Sequence, residues 1–205
     1  MMDKNSVIID DELLTVTEQE HIRTCFTNPF FPWYIGENLD STNPVYIENH
    51  FKKLTNNIFE YTQFVHTFVQ DSTEVSSAIG VPLIIFNRAK EKYQLNDELL
   101  RIKANFCTKI HSDQIDAHHT PHIDDNDHHW TMIYYVNDSD GDLFLFDEVV
   151  PMYKELTTIE TLTVKQRITP KQGRCVLFHG HRLHAGMHPT DHNYRMVINF
   201  NIKKA

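Results

Sequence analysis

The sequence predicts a mainly β protein, an antiparallel sandwich or barrel, preceded by a helical N-terminal half. Two observations support this fold class. Strand-like segments in the second half of the chain are short and have no long helix between them, and turn-forming residues separate them at positions 137–141 and 170–173. The predicted strands are residues 130–136, 143–146, 161–168, 174–178 and 194–202.

The first 36 residues predict one strand and one helix. Residues 8–14 are expected to form a short strand or extended segment. Thr17 and Glu20 have the spacing of a helix capping box, so a first helix is predicted to run to about Thr27. Residues 30–36 are aromatic and interrupted by a proline, which favours a buried irregular segment or an edge strand.

The next part of the chain predicts further helices. Residues 46–51 are expected to be extended. Between Ile58 and Val69, apolar residues recur at intervals of three and four, which is typical of an amphipathic helix. A further helix is predicted to begin near Gly80 and to end by Tyr93. We expect these helices to pack as a buttress on one face of a sheet.

Residues 101–110 alternate polar and apolar side chains, which indicates a half-buried strand. A length of 205 residues suits one domain. We therefore expect a single domain in which residues 1–100 are a largely helical buttress and residues 101–205 form the β core.

The charge balance excludes one class of partner. With 28 acidic residues against 19 Lys and Arg, the chain lacks the basic surface that a nonspecific nucleic-acid binder needs. No nucleic-acid partner is therefore expected.

The cysteines and the N-terminal segment predict the compartment. Cys25, Cys107 and Cys175 are odd in number and far apart, so neither a disulfide framework nor a cysteine zinc site is predicted. The apolar run at residues 7–9 is too short for a signal-peptide core or a membrane span. A cytoplasmic protein without a membrane association is expected.

The fourteen histidines crowd into two segments, and the first contains a candidate metal motif. His122 and Asp124 are two residues apart before a predicted strand, and alternate residues of an extended chain point to the same face. One imidazole and one carboxylate side by side can bind a single metal ion. A second imidazole would complete the two-histidine, one-carboxylate set that is typical of non-haem Fe(II) sites.

The third ligand and an anion-binding residue are expected late in the chain. Residues 178–188 contain four histidines, so the residues alone leave several candidates for the third ligand. In the strand that follows, Arg195 alternates with apolar residues. If those apolar residues pack against the helices, Arg195 faces the interior, where a buried guanidinium needs an anion such as a cosubstrate carboxylate.

Several motifs together carry a family resemblance. In chain order they are Pro121-His122-Ile-Asp124-Asp125, Tyr134-Tyr135-Val-Asn137, Leu143-Phe-Leu-Phe146-Asp147, Pro170-Lys-Gln-Gly173-Arg174, Leu177-Phe178, His184-Ala-Gly186 and Tyr194-Arg195. From about residue 101 to the C-terminus, the chain resembles the Fe(II)- and 2-oxoglutarate-dependent dioxygenases of the prolyl 4-hydroxylase-like group.

The resemblance implies a double-stranded β-helix (jelly-roll) with an N-terminal helical layer. It implies that His122, Asp124 and His184 are the catalytic iron ligands and that Arg195 binds the distal carboxylate of 2-oxoglutarate. It also implies that Tyr135 hydrogen-bonds that carboxylate, with Tyr134 as the alternative inward-facing tyrosine. The reaction implied is hydroxylation with release of succinate and CO2, and ascorbate is a candidate accessory reductant.

Other residues compete for these roles. His179 and His181 are alternatives to His184 as the third ligand. A zinc site formed by His118, His119 and His122 is a further alternative, but adjacent strand residues face opposite ways, which speaks against it. His128 and His129 are expected to be solvated, Asp125 to cap a turn or support a ligand, and Trp130 to lie near the substrate entrance. The Asp140-Gly141-Asp142 turn departs from the two glycines that the family often has.

The substrate is open at this stage. The resemblance suggests prolyl residues of a protein or peptide, and a small molecule is the alternative substrate, because one metal site serves many substrates. A noncatalytic, metal-binding jelly-roll module that captures a ligand is the competing hypothesis. An arginine placed beyond an open metal face speaks against it.

Overall fold

The computed structural model describes residues 5–36, 45–111 and 116–204. Strands dominate these residues, and their α-helices lie in the first half of the chain. The α-helices are α1 (Val16–Thr27), α2 (Val45–Leu54) and α3 (Gly80–Tyr93). Short 3₁₀-helices occur at Ser77–Ile79 and Tyr153–Thr158. The strands are β1 (Val7–Asp10), β2 (Tyr34–Gly36), β3 (Gln63–Gln70), β4 (Thr73–Glu74), β5 (Leu99–Thr108), β6 (His129–Tyr135), β7 (Leu143–Val149), β8 (Val164–Ile168), β9 (Cys175–His179), β10 (Arg182–Gly186) and β11 (Tyr194–Lys203).

Two antiparallel sheets form the body of the protein. The larger sheet has the strand order β1-β9-β6-β11-β5-β3-β2, with β4 paired to β3, and the smaller has the order β10-β7-β8. Inner-face residues of both sheets pack together in one buried cluster, including Ile133 and Val197 from the larger sheet and Leu145 from the smaller. This sandwich of short antiparallel strands confirms the predicted jelly-roll class.

A helical layer covers the outer face of the larger sheet. Ile22 and Phe26 of α1 and Ile85 of α3 share one buried cluster with alternate residues of β11, namely Met196, Ile198 and Phe200. The alternation predicted for β11 is therefore confirmed, and its other face, which carries Arg195, lines a cavity between the sheets. None of the helices in the described ranges is long and apolar enough to span a membrane.

The first helix begins two residues earlier than predicted. The capping box is formed by Thr15 and Glu18, not by Thr17 and Glu20: the Glu18 N–H donates to Thr15 Oγ1 at 3.3 Å, and the Thr15 N–H donates to Glu18 Oε2 at 2.8 Å. The preceding strand is also shorter than predicted and ends at Asp10. Of the two alternatives for residues 30–36, the edge strand is present as β2, which pairs with β3 at the end of the larger sheet.

The helix predicted between Ile58 and Val69 is wrong, because β3 occupies most of this segment. The apolar spacing suggested a helix, but Phe64, Val65 and Thr67 are aromatic and β-branched residues that favour strands. Hydrogen bonding to both β2 and β5 then decides the conformation. A register shift between Thr67 and Val69 breaks the alternation that would have indicated a strand.

The extended conformation predicted for residues 46–51 is also wrong, because this segment lies in α2. Ile47 and Phe51, one helical turn apart, are both completely buried. Lys52 forms an i,i+4 ion pair with Glu48 on the outer face of the helix. The helix predicted to end at Tyr93 and the strand predicted from residue 101 are confirmed as α3 and β5.

In the second half, all five predicted strands are present within a few residues of the expected bounds. One strand was missed. The sequence showed residues 182–186 only as part of a histidine-rich segment, whereas they form β10, in which buried Leu183 and Ala185 alternate with Arg182 and His184.

Candidate metal centre

A cavity of about 340 Å³ lies between the two sheets. Its wall on the larger sheet is formed by alternate residues of two paired strands, with Arg101, Lys103 and Asn105 from β5 and Arg195 and Asn199 from β11. Because alternate residues of a strand share one face, these polar side chains all point inward. His122, Asp124 and His184 line the same cavity.

His122 and His184 lie directly opposite each other. Their backbones exchange two hydrogen bonds, from the His122 N–H to the His184 carbonyl at 3.0 Å and from the His184 N–H to the His122 carbonyl at 3.1 Å. The ring centroids are 4.6 Å apart. This isolated bridge adds the His122 segment to the edge of the smaller sheet beside β10. Two histidines that are 62 positions apart in the chain are thereby brought together.

Backbone carbonyls orient both rings in the same way. Nδ1 of His122 lies 2.9 Å from the Thr120 oxygen, and Nδ1 of His184 lies 3.1 Å from the Arg182 oxygen. A carbonyl only accepts, so Nδ1 carries the proton in the neutral ring and Nε2 carries the lone pair. His184 Nε2 lies 3.4 Å from Asp124 Oδ2, which directs it towards the carboxylate.

Asp124 is buried and held by four side chains. Arg101 donates to Oδ1 at 2.5 Å, Thr131 and Asn201 donate to Oδ2 at 3.0 and 2.9 Å, and Asn199 lies within 3.3 Å of both oxygens. Burial alone would raise the pKa of this carboxyl, but the Arg101 charge and the neighbouring His184 hold it well below its usual value. Asp124 is therefore an ionised acceptor of fixed orientation.

The three ligand atoms of His122, Asp124 and His184 all lie within 4.8 Å of one another. Two lone-pair imidazole nitrogens and one ionised carboxylate are the donors that ferrous iron takes in mononuclear non-haem sites, and three protein ligands leave positions open for substrates. The residues present thus fit such a metal ion in kind, charge and spacing.

Arg195 lies at the wall of the same cavity and is only 5% exposed. Its Nε has no hydrogen-bond partner among the described residues, and no carboxylate in that part of the chain forms an ion pair with it. A β-carbon at Gly141 would lie 2.8 Å from Arg195 Cδ and 2.6 Å from the Met187 carbonyl oxygen, so only glycine fits there. Asp140 belongs to the same turn, which departs from the two glycines that the family often has. It accepts hydrogen bonds from three backbone N–H groups at residues 190–192.

The two adjacent tyrosines of β6 face opposite sides of the sheet. The Tyr135 ring lies 5.7 Å from the Arg195 guanidinium carbon, and its hydroxyl has no hydrogen-bond partner in the described ranges. Burial raises the pKa of Tyr135, and Arg195 opposes that shift. Tyr134 packs with the helical layer. The structure therefore places Tyr135, rather than Tyr134, next to the arginine.

The competing histidines lie elsewhere. His181 Nε2 is 3.1 Å from the backbone oxygens of Asn126 and Asp127, and the His179 and His181 rings are near His128. Among the described residues, none of these three belongs to a group with ligand atoms close enough to share a metal ion. Asp125 accepts from the Asp127 N–H and caps a turn, as expected.

Sequence reasoning missed the four side chains that hold Asp124. Asn199 and Asn201 alternate with the apolar residues of β11, so this signal was present, but their common partner was not visible because it is more than 70 positions away. A second group was also missed. Cys107, His119 and His188 lie together in the interior, although no cysteine metal site was predicted.

Comparison with known proteins agrees with this geometry. The family model of the 2OG-Fe(II) oxygenase superfamily matches residues 98–203, which is slightly more than half of the chain and includes every residue discussed above as a ligand or anion-binding group. The chain therefore belongs to the 2OG-Fe(II) oxygenase superfamily, whose members use Fe(II) and 2-oxoglutarate. A search of curated proteins finds no match.

Solved structures share the fold at low sequence identity. HygX from Streptomyces hygroscopicus, solved with nickel, 2-oxoglutarate and hygromycin B, has a TM-score of 0.57 at 9% identity, covering 98% of this chain and 84% of HygX. The carbocyclase SnoK from nogalamycin biosynthesis also has a TM-score of 0.57, at 10% identity, with 98% and 80% covered. A collagen prolyl hydroxylase of Paramecium Bursaria Chlorella virus-1 is 15% identical over 97% and 96% of the two chains, with a TM-score of 0.47.

Proposed function

We propose that this protein is an Fe(II)- and 2-oxoglutarate-dependent dioxygenase that hydroxylates its substrate with release of succinate and CO2. One observation carries the proposal: a two-histidine, one-carboxylate donor set shares a cavity with a buried arginine that has no carboxylate partner in the described residues. The donor set alone would suit many metal proteins. The arginine adds a reason for a dicarboxylic cosubstrate.

His122, Asp124 and His184 would hold the iron. Bound there with 2-oxoglutarate, iron supplies the oxygen activation that hydroxylation requires. The chain contributes the orientation of its ligands, because backbone carbonyls fix both imidazoles and four side chains fix the carboxylate. Outer contacts of this kind set the tautomer and basicity of metal ligands.

Arg195 would bind the distal carboxylate of 2-oxoglutarate. A guanidinium can give a carboxylate two parallel hydrogen bonds, and in a buried site these are stronger than in water. The Tyr135 hydroxyl lies on the same side of the sheet and would donate to that carboxylate. Both groups are buried and have unpartnered polar atoms, which is costly unless a ligand satisfies them.

The Arg101–Asp124 contact would keep the carboxylate ionised while the metal is absent. Arg101 also donates to Asn201 Oδ1 at 2.9 Å, which keeps the guanidinium beside the site. The Asp124 carboxylate could accept these hydrogen bonds and still bind a metal ion, since an ionised carboxylate offers about four lone-pair positions. Arg101 is therefore a positioning residue in this proposal.

The acceptor substrate is either a prolyl residue of a peptide or protein, as the sequence resemblance suggests, or a small molecule. The cavity walls are rich in charged and amide side chains, and both cationic and anionic groups reach them, including Lys103, Glu48 and Glu60. Such walls suit a substrate with polar groups of its own.

A turnover assay tests the proposal. The protein is supplied with Fe(II), 2-oxoglutarate and ascorbate under air, and succinate is measured with and without a library of proline-containing peptides. We expect slow succinate formation alone and faster formation with a true substrate, whose mass increases by one oxygen atom. A noncatalytic binding module would give neither succinate nor saturable 2-oxoglutarate binding. Succinate without any stimulation by prolyl peptides would favour a small-molecule substrate.

A further inference from the structure

A second group of metal-ligating side chains lies in the interior near Arg195. Cys107, His119 and His188 are all buried, and their ligand atoms lie within 4.8 Å of one another. Cys107 is on β5 directly opposite Arg195 of β11. His119 precedes the His122 segment, and His188 follows β10. No member of this group is shared with His122, Asp124 and His184.

His188 presents an unpartnered nitrogen. Its Nδ1 lies 2.8 Å from the Thr108 carbonyl oxygen, so Nδ1–H donates to that oxygen and the lone pair of the neutral ring is on Nε2. That Nε2 is buried, with the whole residue 2% exposed, and has no hydrogen-bond partner among the described residues. A buried acceptor without a partner costs free energy, and a metal ion at this point would remove the cost.

His119 is oriented by a carboxylate. Its Nδ1 lies 2.9 Å from Glu60 Oε2, and Glu60 Oε1 in turn accepts from the Thr120 N–H at 2.7 Å. A carboxylate on the far nitrogen of a ligating histidine is the outer partner that zinc sites commonly have. The Gln63 amide nitrogen now lies 2.8 Å from His119 Nε2. A metal ion would take the place of this amide.

Cys107 supplies the sulfur ligand. Its side chain is completely buried, and ligand nitrogens of His119 and His188 lie within 4.8 Å of its sulfur. Cysteine binds metal ions through its thiolate sulfur.

We propose that Cys107, His119 and His188 form a second metal site, one that takes Zn²⁺. One thiolate and two imidazoles are a donor set that zinc accepts with tetrahedral geometry, and three protein ligands leave one position for water. His119 and Glu60 line the cavity, which gives the ion a route to the site.

The two sites would be joined by one short segment of chain. The His119 N–H donates to the Gly186 carbonyl, and the His122 N–H donates to the His184 carbonyl. His119 and His122 are three positions apart. The second site would tie together the end of β5, the segment before His122 and the segment after β10.

Cobalt titration separates the two sites, because only one of them contains sulfur. Metal-free full-length protein, kept reduced with a phosphine and free of oxygen, is titrated with Co²⁺. We expect a thiolate-to-cobalt charge-transfer band in the near ultraviolet that is abolished by Zn²⁺. The band should persist in Asp124→Ala, which disrupts only the other donor set, and there it should saturate at one equivalent per chain.

Matched variants test which cysteine and which histidine bind the cobalt ion. Cys107→Ser and His188→Ala should abolish the band, whereas Cys25→Ser, Cys175→Ser and His192→Ala should retain it. Circular dichroism checks that each variant is folded. If Cys107→Ser does not fold, zinc protection of Cys107 from alkylation in the wild-type protein, measured by mass spectrometry, replaces it. A band that survives Cys107→Ser, no band in the wild type at saturating Co²⁺, or no protection by zinc would each overturn the proposal.

Discussion

The two donor sets of this protein orient three of their four histidines in the same way and differ in the third residue. The Nδ1 atoms of His122, His184 and His188 face the backbone carbonyls of Thr120, Arg182 and Thr108, whereas Nδ1 of His119 faces the Glu60 carboxylate. The third member is Asp124 in one set and Cys107 in the other. The difference teaches that imidazole orientation alone does not determine which metal a site prefers.

The side chains around Asp124 and Cys107 also differ. Asp124 accepts hydrogen bonds from four side chains, as a hard anionic oxygen ligand should, whereas the Cys107 sulfur lies beside two imidazoles, those of His119 and His188. A carboxylate favours iron-type, hard metal ions, and a thiolate favours zinc. The cavity thus offers one site suited to exchange of substrates and one suited to a tightly held ion.

The largest effect should come from removing the carboxylate. Asp124→Ala leaves two imidazoles without a charged ligand and leaves Arg101 without its anion. We expect iron affinity and succinate formation to fall by more than about 100-fold, because even loss of outer-shell partners costs 10- to 100-fold. The neighbouring Asp125→Asn, which alters only a turn cap, is the control. Succinate formation at the wild-type rate in Asp124→Ala would contradict the assignment of the iron site.

Arg195 lines the same cavity as the first donor set and lies directly opposite Cys107 of the second, so its substitution tests which set it serves. Arg195→Ala should raise the KM for 2-oxoglutarate by about 10- to 100-fold, since hydrogen bonds to a charged group contribute about 1.5–3 kcal/mol. Arg195→Lys keeps the charge but loses the paired donors, so its KM for 2-oxoglutarate should lie between those of the wild type and Arg195→Ala. The cobalt–thiolate band should remain in both variants. An unchanged KM would show that Arg195 has a structural role.

The second half of the chain was predicted well because its signals are local. In β11, alternation separates the helix-facing residues from Arg195, and the motif around His122 and Asp124 lies within three residues. In β3, by contrast, apolar spacing suggested a helix, and only pairing with β2 and β5 imposes the strand. Cys107, His119 and His188 come from three separate segments, so neither their spacing nor their number could indicate a site.

The two adjacent tyrosines of β6 provide a smaller and well-matched test. Both hydroxyls are buried and lack a partner among the described residues, but only Tyr135 lies beside Arg195. Tyr135→Phe should raise the KM for 2-oxoglutarate by about 10-fold, because it removes one hydrogen bond to a charged carboxylate, which contributes about 1.5 kcal/mol or more. Tyr134→Phe should leave it unchanged. Equal effects of the two substitutions would argue that neither hydroxyl touches the cosubstrate.

The smallest effect concerns Glu60, which supports the thiolate-containing set through His119. Burial alone would raise the pKa of Glu60, but its contacts with His119 and Thr120 lower it to about 2, compared with 4.5 in an unfolded chain. A carboxyl whose pKa is lowered by folding stabilises the protein above the unfolded pKa, and this contribution is lost as the pH falls towards the folded value.

Glu60→Gln should therefore lower the free energy of unfolding of the metal-free protein by about 1 kcal/mol at neutral pH, a modest value because the side chain is about one-third exposed. The difference from wild type should shrink as the pH falls below 4.5, which urea unfolding at several pH values measures. The same substitution should weaken Zn²⁺ binding and leave iron binding intact, because the Glu60 carboxylate accepts its hydrogen bonds from His119 and the Thr120 N–H. If the difference in free energy of unfolding between Glu60→Gln and the wild type does not change with pH, the Glu60 charge does not act through His119.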